Sequence, residues 1–184
     1  EHNVLMIADE IQTGLGRTGK MLTCDYEKVK PDLLLLGKAL SGGTLPVSAV
    51  LGNDEVMLTI KEGEHGSTFG GNPLGSAVAM AALSVIEEEE LDKNAFLMGT
   101  LFRNSLKGIP NVQVRGKGLL NALVLSGTNE KFNAYKLCEK MRHAGLLAKP
   151  ARKNIVRLAP PLTINKNEIE KATEIIQESI YDVL

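Results

Sequence analysis

A carboxylate and an amine each come directly after an apolar run of this sequence. Asp9 follows VLMIA (4–8), and Lys38 closes the segment DLLLLGK (32–38). Short, continuous apolar runs are typical of buried strands in a parallel or mixed sheet that is covered on both faces. Ligands of open α/β sheets lie beyond the carboxyl ends of such strands. Two neighbouring strands would therefore present Asp9 and Lys38 to one crevice.

This pair of groups suits the chemistry of pyridoxal phosphate. A lysine amine can form a Schiff base with the aldehyde of that cofactor, and an aspartate can pair with its protonated pyridine nitrogen, so that the ring accepts electrons. Taken alone, the spacing favours a simpler interpretation, in which Asp9 caps a turn and Lys38 is a solvated lysine at a strand end. A lysine after an apolar run is common, and buried lysines are unusual.

The stretch GLGRTGK (14–20) contains two glycine patterns that are associated with nucleotides. Gly14, Gly16 and Gly19 spell G-x-G-x-x-G, but five residues separate the strand from Gly14 and no helical pattern follows. The phosphate-loop pattern lacks its hydroxyl, because Met21 follows Lys20. We therefore expect a glycine-rich turn that binds no nucleotide.

A third stretch, GEHGSTFGGNPLG (63–75), is dense in glycine and hydroxyl groups and precedes a predicted helix. Ser67 and Thr68 could bind phosphate oxygens through their hydroxyls and backbone amides. A flexible loop would have the same composition, so this stretch alone leaves both interpretations open.

Composition excludes several classes of protein. The 184 residues suffice for one ordinary domain or two small ones, and the formal net charge of −1 gives no reason to expect nucleic acid or a membrane surface as a partner. Cys24 and Cys138 form no metal-ligand pattern and make a disulfide framework improbable, so a reducing, intracellular compartment is favoured. The apolar runs are too short to span a bilayer.

The element pattern predicts an α/β fold followed by a smaller α+β domain, with the boundary between residues 91 and 92. The first domain, 1–91, contains the two strands above, a third at VSAVLG (47–52) and a long helix at 74–91. The second, 92–184, contains helices at 94–106, 130–145 and 165–184, and four strand-like segments that begin VQVRG, LLNALVLS, LLAKP and IVRLAPP. Asn165 is the expected cap of the last helix.

Taken together, the segments resemble the class III pyridoxal-phosphate aminotransferases. The resemblance rests on LMIADEIQTGLGRTGK, DLLLLGKALSGG, GEHGSTFGGNPLG and VRLAPPL in this order, and it spans essentially the whole chain. It implies a fold-type I transferase, of which this chain corresponds to the later half of the large domain, with its mostly parallel sheet, and the small C-terminal domain.

The resemblance implies roles for four residues around the cofactor ring. Asp9 matches the partner of the pyridine nitrogen, and Lys38 matches the lysine that bonds the aldehyde. Ile11 matches an aliphatic residue that packs on the ring, and Gln12 matches a residue near the ring hydroxyl.

The resemblance also implies a phosphate contact and a substrate contact. Thr68, with Ser67 beside it, matches a residue that reaches the cofactor phosphate of the neighbouring subunit, so a homodimer or higher homo-oligomer is expected. Arg157 matches an arginine that binds the α-carboxylate of 2-oxoglutarate. In relatives that act on ornithine, a glutamate from upstream masks this arginine while ornithine is bound; a solvated or paired arginine at a strand edge is the simpler alternative.

The implied activity is transfer of the δ-amino group of L-ornithine to 2-oxoglutarate, which yields glutamate 5-semialdehyde and glutamate. GEHGSTFGGNPLG, VRGKGLLNA, GLLAKP and RLAPPL are most similar to the family members that act on ornithine. The alternatives are acetylornithine and 4-aminobutyrate as amino donors. A soluble protein of the cytoplasm or the mitochondrial matrix is expected.

Overall fold

The computed structural model describes residue 2 and residues 4–182. These residues form two compact units, Glu1–Asp92 and Lys93–Leu184, each with its own internal contacts. Within the described part, no helix combines the length and apolarity that crossing a bilayer requires.

The first unit is built on a three-stranded mixed sheet in the order β1-β2-β3. Its strands are β1 (Ile7–Asp9), β2 (Leu33–Leu36) and β3 (Ala49–Gly52). β1 and β2 pair in parallel, whereas β2 and β3 pair antiparallel. β1 begins later than the apolar run and includes Asp9. Residue 6 is nevertheless tied to the sheet, because the backbone N–H of Met6 donates to Asp32 Oδ2 at 2.7 Å.

Two helices and two 3-10 turns complete the first unit. They are α1 (Asp54–Met57), α2 (Pro73–Glu88), and the turns Thr23–Tyr26 and Lys38–Ser41. Asn72 caps α2 by accepting a hydrogen bond from the backbone N–H of Gly75 at 2.7 Å, and a proline at the first helical position adds a preset φ. α2 ends at Glu88, three residues before its predicted end at residue 91. Glu90 then adopts a φ of 49°, which a right-handed helix cannot accommodate.

The strands of the first unit are less buried than the sequence predicts. Ile7 is 57% exposed and Val50 is 55% exposed, while the four residues of β2 are only half-buried. Within the described residues, α2 packs mainly against the turn Lys38–Ser41 and not against the strand faces. The prediction that both faces of these strands are covered stays a prediction for the longer proteins that this chain matches.

The second unit is a four-stranded antiparallel sheet, in the order β4-β5-β7-β6, packed with three helices. The strands are β4 (Val112–Lys117), β5 (Leu120–Leu125), β6 (Lys149–Arg152) and β7 (Ile155–Leu158). The helices are α3 (Leu91–Ser105), α4 (Ala134–His143) and α5 (Lys166–Tyr181). The predicted cap of α5 is confirmed. The Asn165 side chain accepts a hydrogen bond from the backbone N–H of Glu168, and the Glu168 carboxylate accepts one from the backbone N–H of Asn165.

One continuous core holds this unit together. β5 alternates half-buried and buried residues, so that Leu123 and Leu125 point into the core with residues of all three helices. Phe102, Met141 and Ile176 represent α3, α4 and α5 in that core, and each is at most 3% exposed. The period of two in the strand and the apolar stripes of the helices account for this arrangement.

The stretch VRGKGLLNA lies where α3 crosses the β4–β5 hairpin. A Cβ added at Gly99 would overlap the backbone carbonyl of Gly118, so the helix and the hairpin approach more closely than any side chain allows. Arg103 Nη1 donates to that same carbonyl at 2.8 Å and to Asn121 Oδ1 at 3.0 Å. These contacts give this stretch a packing role.

Candidate functional site

Asp9 and Lys38 leave the same edge of the sheet. Asp9 lies opposite Leu35 in the parallel β1–β2 register, and Lys38 follows Leu35 by three positions. The backbone N–H of Glu10 donates to the carbonyl of Leu35 at 3.0 Å and extends the pairing past Asp9. Both side chains are exposed in the chain. The topology thus places the predicted carboxylate and amine at neighbouring carboxyl ends of parallel strands.

Asp9 also shapes the start of the turn that follows β1. Its Oδ1 accepts a hydrogen bond from the backbone N–H of Ile11 at 3.1 Å. This is the turn-capping role that the simpler interpretation of Asp9 predicts. The second carboxylate oxygen remains available for another donor.

The backbone at Lys38 is in an unusual conformation. Lys38 has a φ of 42°, in the left-handed region that non-glycine residues seldom adopt. The turn is held by Leu40, whose backbone N–H donates to the carbonyl of Gly37 at 3.0 Å, and by Ser41, whose Oγ donates to the carbonyl of Lys38 at 3.0 Å. Non-glycine residues in this region cluster at functional sites, where the surrounding structure holds them.

Ile11 packs beside this turn. A Cβ added at the buried Gly37 would lie 3.3 Å from Ile11 Cγ2, so only a glycine leaves the Ile11 side chain its full space there. The aliphatic residue predicted to lie on a cofactor ring is therefore next to the residue that precedes Lys38. Gln12 is exposed, one residue further along the same turn.

The predicted phosphate loop lies against a cavity of about 550 Å³. Ser67 lines this cavity together with Ser48, Asn72 and Ser76. Leu40, which belongs to the turn that carries Lys38, also lines it. The Ser67 Oγ accepts a hydrogen bond from the backbone N–H of Gly70 at 2.9 Å, which orders the loop. The described lining residues of this cavity do not include Asp9, Ile11, Gln12, Lys38 or Thr68.

Glu10 is a buried carboxylate of this region that was not among the predicted site residues. Its side chain is 4% exposed. Its Oε1 accepts from the backbone N–H of Cys24 at 2.8 Å, and its Oε2 accepts from Thr13 Oγ1 at 2.8 Å. Burial raises the pKa of Glu10, but hydrogen bonds from Thr23, Cys24 and Thr13 outweigh it and lower the pKa below its ordinary value. The pattern of apolar and polar residues gives no sign that Glu10 is buried. Glu10 comes directly after the strand that ends in Asp9, where it looks like any other polar residue at a strand end.

The glycine stretch forms turns and no nucleotide cradle. Gly16 and Gly19 have φ values of 85° and 97°, and the backbone N–H of Gly19 donates to the carbonyl of Gly16 at 2.9 Å. The next regular element is the 3-10 turn Thr23–Tyr26, not the helix that either nucleotide motif requires. Lys20, the residue of the phosphate-loop pattern, instead donates to the carbonyl of Asp25 at 3.1 Å.

Arg157 belongs to the second unit, where it lies in β7 opposite Lys149 of β6 and Ala122 of β5. Its side chain is exposed and borders two cavities, one of about 300 Å³ shared with Lys149 and an apolar one of about 240 Å³. Carboxylates of small molecules are the expected ligands of an arginine at a cavity mouth.

Metal and thiol chemistry receive no support from the described residues. No group of three or more histidine, cysteine, aspartate or glutamate side chains is placed to hold a metal ion in residues 2 and 4–182. Burial raises the pKa of the Cys138 thiol to about 11, and burial together with the nearby Glu10 raises that of Cys24. Both thiols are therefore weak nucleophiles at neutral pH.

Comparison with known proteins places the chain in a family. Residues 1–180 match the class-III aminotransferases. The mitochondrial ornithine aminotransferases of Drosophila melanogaster and Rattus norvegicus are 59% and 58% identical to it, over 100% and 97% of this chain and over 42% and 41% of those proteins. The chain thus spans about two fifths of the length of the curated relatives it matches.

Solved structures agree on the fold. An acetylornithine aminotransferase from Elizabethkingia anophelis superposes with a TM-score of 0.93 at 51% identity, over 98% of this chain and 46% of that one. An ornithine aminotransferase from Toxoplasma gondii superposes with a TM-score of 0.92 at 45% identity, over 98% and 44%. The predicted fold class, a fold-type I transferase, is confirmed, and the chain belongs to the class III aminotransferases.

Proposed function

We propose that this chain is the part of an aminotransferase that contains its catalytic lysine. The enzyme transfers the δ-amino group of L-ornithine to 2-oxoglutarate. The observation that carries the proposal is the placement of Asp9 and Lys38 at neighbouring ends of parallel strands, in a chain 59% identical to a protein named ornithine aminotransferase. The formal net charge of −1 agrees with small metabolites as substrates inside the cell.

The residues fit pyridoxal phosphate as cofactor. The group needs an amine for its aldehyde, an acid for its ring nitrogen, and amides or hydroxyls for its phosphate, and Lys38, Asp9 and the Ser67–Thr68 pair offer this set. When bound, it supplies a carbonyl carbon that bonds amino groups and a protonated ring that accepts the electron pair of the reacting carbon.

Lys38 and Asp9 have separate tasks in this proposal. Asp9, as a carboxylate, holds a proton on the ring nitrogen, because an ion pair stabilises the charged form of the ring. Lys38 anchors the cofactor at rest and, as a free amine once the amino donor is bound, carries a proton from the donor carbon. The hydrogen bonds of Leu40 and Ser41 fix the backbone of the turn from which the Lys38 side chain projects.

The remaining residues orient and bind. Ile11 excludes water from one ring face, and Gln12 donates a hydrogen bond to the ring hydroxyl. Ser67 and Thr68 hold the phosphate of the neighbouring subunit, so the proposed active form is a homodimer or a larger homo-oligomer. Arg157 binds the α-carboxylate of 2-oxoglutarate.

The exposure of Asp9, Gln12 and Lys38 is compatible with this proposal if other segments complete the pocket. The relatives are more than twice as long as the chain, which leaves room for such segments, and a second subunit would bring its own loop to the site. In the proposed enzyme, water is excluded only after that assembly.

The test is substitution of the amine in the full-length protein. Lys38→Ala removes the visible absorbance of covalently held cofactor and abolishes turnover, whereas Lys30→Ala, an exposed lysine of the same unit, changes neither. Retention of that absorbance in Lys38→Ala would refute the assignment.

A panel of amino donors tests the substrate. Ornithine, acetylornithine and 4-aminobutyrate are compared at equal concentration with 2-oxoglutarate as acceptor. Acetylornithine is included because an acetylornithine aminotransferase superposes on this chain as well as an ornithine aminotransferase does, with TM-scores of 0.93 and 0.92. A higher kcat/KM with acetylornithine than with ornithine would transfer the proposal to that substrate.

A further inference from the structure

Two cations lie side by side on the sheet of the second unit. Lys149 of β6 is the Cα partner of Arg157 of β7 in an antiparallel pair, so their side chains leave the same face of the sheet. Both line the cavity of about 300 Å³, together with Leu147, Ala148 and Ala159. Both side chains are exposed, which allows them to reach a ligand in that cavity.

This pair is unfavourable unless something negative lies between its members. Like charges directly opposite each other in a sheet destabilise the pairing. Three ion pairs of the second unit use Lys136, Lys140 and Lys166, and none of these three involves Lys149 or Arg157. The cavity wall around the two cations is otherwise aliphatic, so the described residues that line it supply no anion to the pair.

We propose that Lys149 is a second cationic ligand of the amino acceptor, and that Lys149 and Arg157 together bind one carboxylate of the dicarboxylate 2-oxo acid. The inference rests on the proposed function, since the ligand is the acceptor of that reaction. Two parallel hydrogen bonds from the arginine fix the plane of the carboxylate. The compact ammonium of Lys149 adds electrostatic attraction and imposes no second planar geometry. Lys149 thereby determines affinity and preference for the acceptor, and it takes no part in proton transfer.

The pair also distinguishes the two substrates by charge. Two cations attract the dicarboxylate acceptor, whereas in this proposal the amino donor makes no contact with Lys149. Loss of Lys149 is therefore expected to weaken the acceptor half-reaction selectively and to leave the ornithine half-reaction unchanged.

The first test measures the two half-reactions separately in the full-length protein by single-turnover absorbance. Lys149→Gln lowers the second-order rate constant for 2-oxoglutarate about tenfold, as for one charge-assisted hydrogen bond, and leaves that for ornithine within twofold. Lys149→Arg restores the acceptor reaction, while Lys149→Glu, which would pair with Arg157 directly, lowers it further. Lys153→Gln is the matched control, because it removes an exposed lysine from the β6–β7 turn without facing Arg157.

The second test needs no turnover and uses glutarate as an unreactive dicarboxylate. Glutarate raises the Tm of the wild-type protein and of Lys153→Gln. Lys149→Gln has a higher Tm than wild type without ligand, because the repulsion is gone, and shows a smaller shift with glutarate. Sodium chloride at matched ionic strength measures the general effect of salt.

The outcomes separate this inference from the proposed function. If Lys149→Gln matches Lys153→Gln in the glutarate shift and in the acceptor rate constant, or if glutarate does not shift the wild-type Tm, the inference is overturned. If the wild-type protein transfers no amino group and the glutarate shift still depends on Lys149, the cation pair stands and the proposed reaction fails.

Discussion

Neutralising Glu10 tests whether the strand end that carries Asp9 depends on a buried carboxylate. Glu10 is 4% exposed and accepts two hydrogen bonds of 2.8 Å, from the backbone N–H of Cys24 and from Thr13 Oγ1. The bond from Cys24 joins the end of β1 to the 3-10 turn at Thr23–Tyr26, and the bond from Thr13 holds the turn that follows β1. Substitution should therefore loosen residues 11–26, which follow Asp9 directly.

The magnitude follows from what each substitution leaves behind. Glu10→Gln can keep its carbonyl oxygen on the Cys24 N–H and turn its amide towards Thr13 Oγ1, which then accepts. Two bonds to a charged group become two neutral ones, a loss of about 1–2 kcal/mol in the free energy of unfolding. Glu10→Ala leaves the Cys24 N–H without its acceptor and costs about 2–4 kcal/mol.

The pH dependence has a definite sign. The pKa of Glu10 is lowered in the folded chain, so this carboxylate stabilises the fold fully above its unfolded pKa, about 4.3. The stabilisation is lost as pH falls from there through the lower folded pKa. Glu10→Gln should therefore destabilise at pH 7, and the difference from wild type should shrink in acid below about pH 4.

The assay is urea unfolding followed by far-ultraviolet circular dichroism at pH 7 and pH 3, with hydrogen exchange of peptides from residues 11–26 to locate the effect. Glu27→Gln is the control, because Glu27 is exposed in the same segment and its neutralisation should stay within about 0.5 kcal/mol. Equal stability of Glu10→Gln and Glu27→Gln at pH 7, or a deficit of Glu10→Gln that is as large at pH 3 as at pH 7, would refute this account.

Three further predictions concern other parts of the chain. Asp9→Ala in the full-length protein should lower kcat at least a hundredfold while Tm changes by only a few degrees, since its one hydrogen bond is an exposed turn contact; a comparable loss of kcat from global unfolding, seen as a large fall in Tm, would contradict this. Gly99→Ala should destabilise the second unit by about 1–3 kcal/mol, because the added methyl overlaps the Gly118 carbonyl, whereas Asn104→Ala on the exposed face of α3 should not; equal urea midpoints for the two variants would be the contrary result. Cys138, with its pKa raised by burial to about 11, should resist iodoacetamide at pH 8 until the chain unfolds, and mass spectrometry showing rapid labelling of the folded chain would disprove it.

The α/β and α+β character of the two units and most of their elements followed from local pattern, whereas the fold-type I assignment came from the resemblance to a family. The apolar runs before Asp9 and Lys38 became β1 and β2, and the capping box at Asn165 began α5 where the sequence placed it. Element ends were less predictable. Glu90 turns the chain through a positive φ without a glycine, so composition offered no signal for the end of α2.

The site was predictable in its chemical groups and not in its supports. The residue types of Asp9, Lys38 and the Ser67–Thr68 pair suit a cofactor, but only the resemblance of whole segments to a family favoured that interpretation, and their roles stay predictions. Glu10 looked like one more polar residue at a strand end, because burial of its carboxylate depends on the fold of residues 13–24 around it.

The sequence by itself determined which groups this protein can use, since an amine, a carboxylate and a guanidinium are fixed by residue type. Only the tertiary structure decided which of them are neighbours. Asp9 and Lys38 lie 29 positions apart, and the parallel register of β1 and β2 brings them to the same edge of the sheet. Lys149 faces Arg157 through the register of an antiparallel hairpin. Register is set by turn geometry and by the burial of whole strand faces, so spacing along the chain does not reveal the neighbours that charge and catalysis depend on.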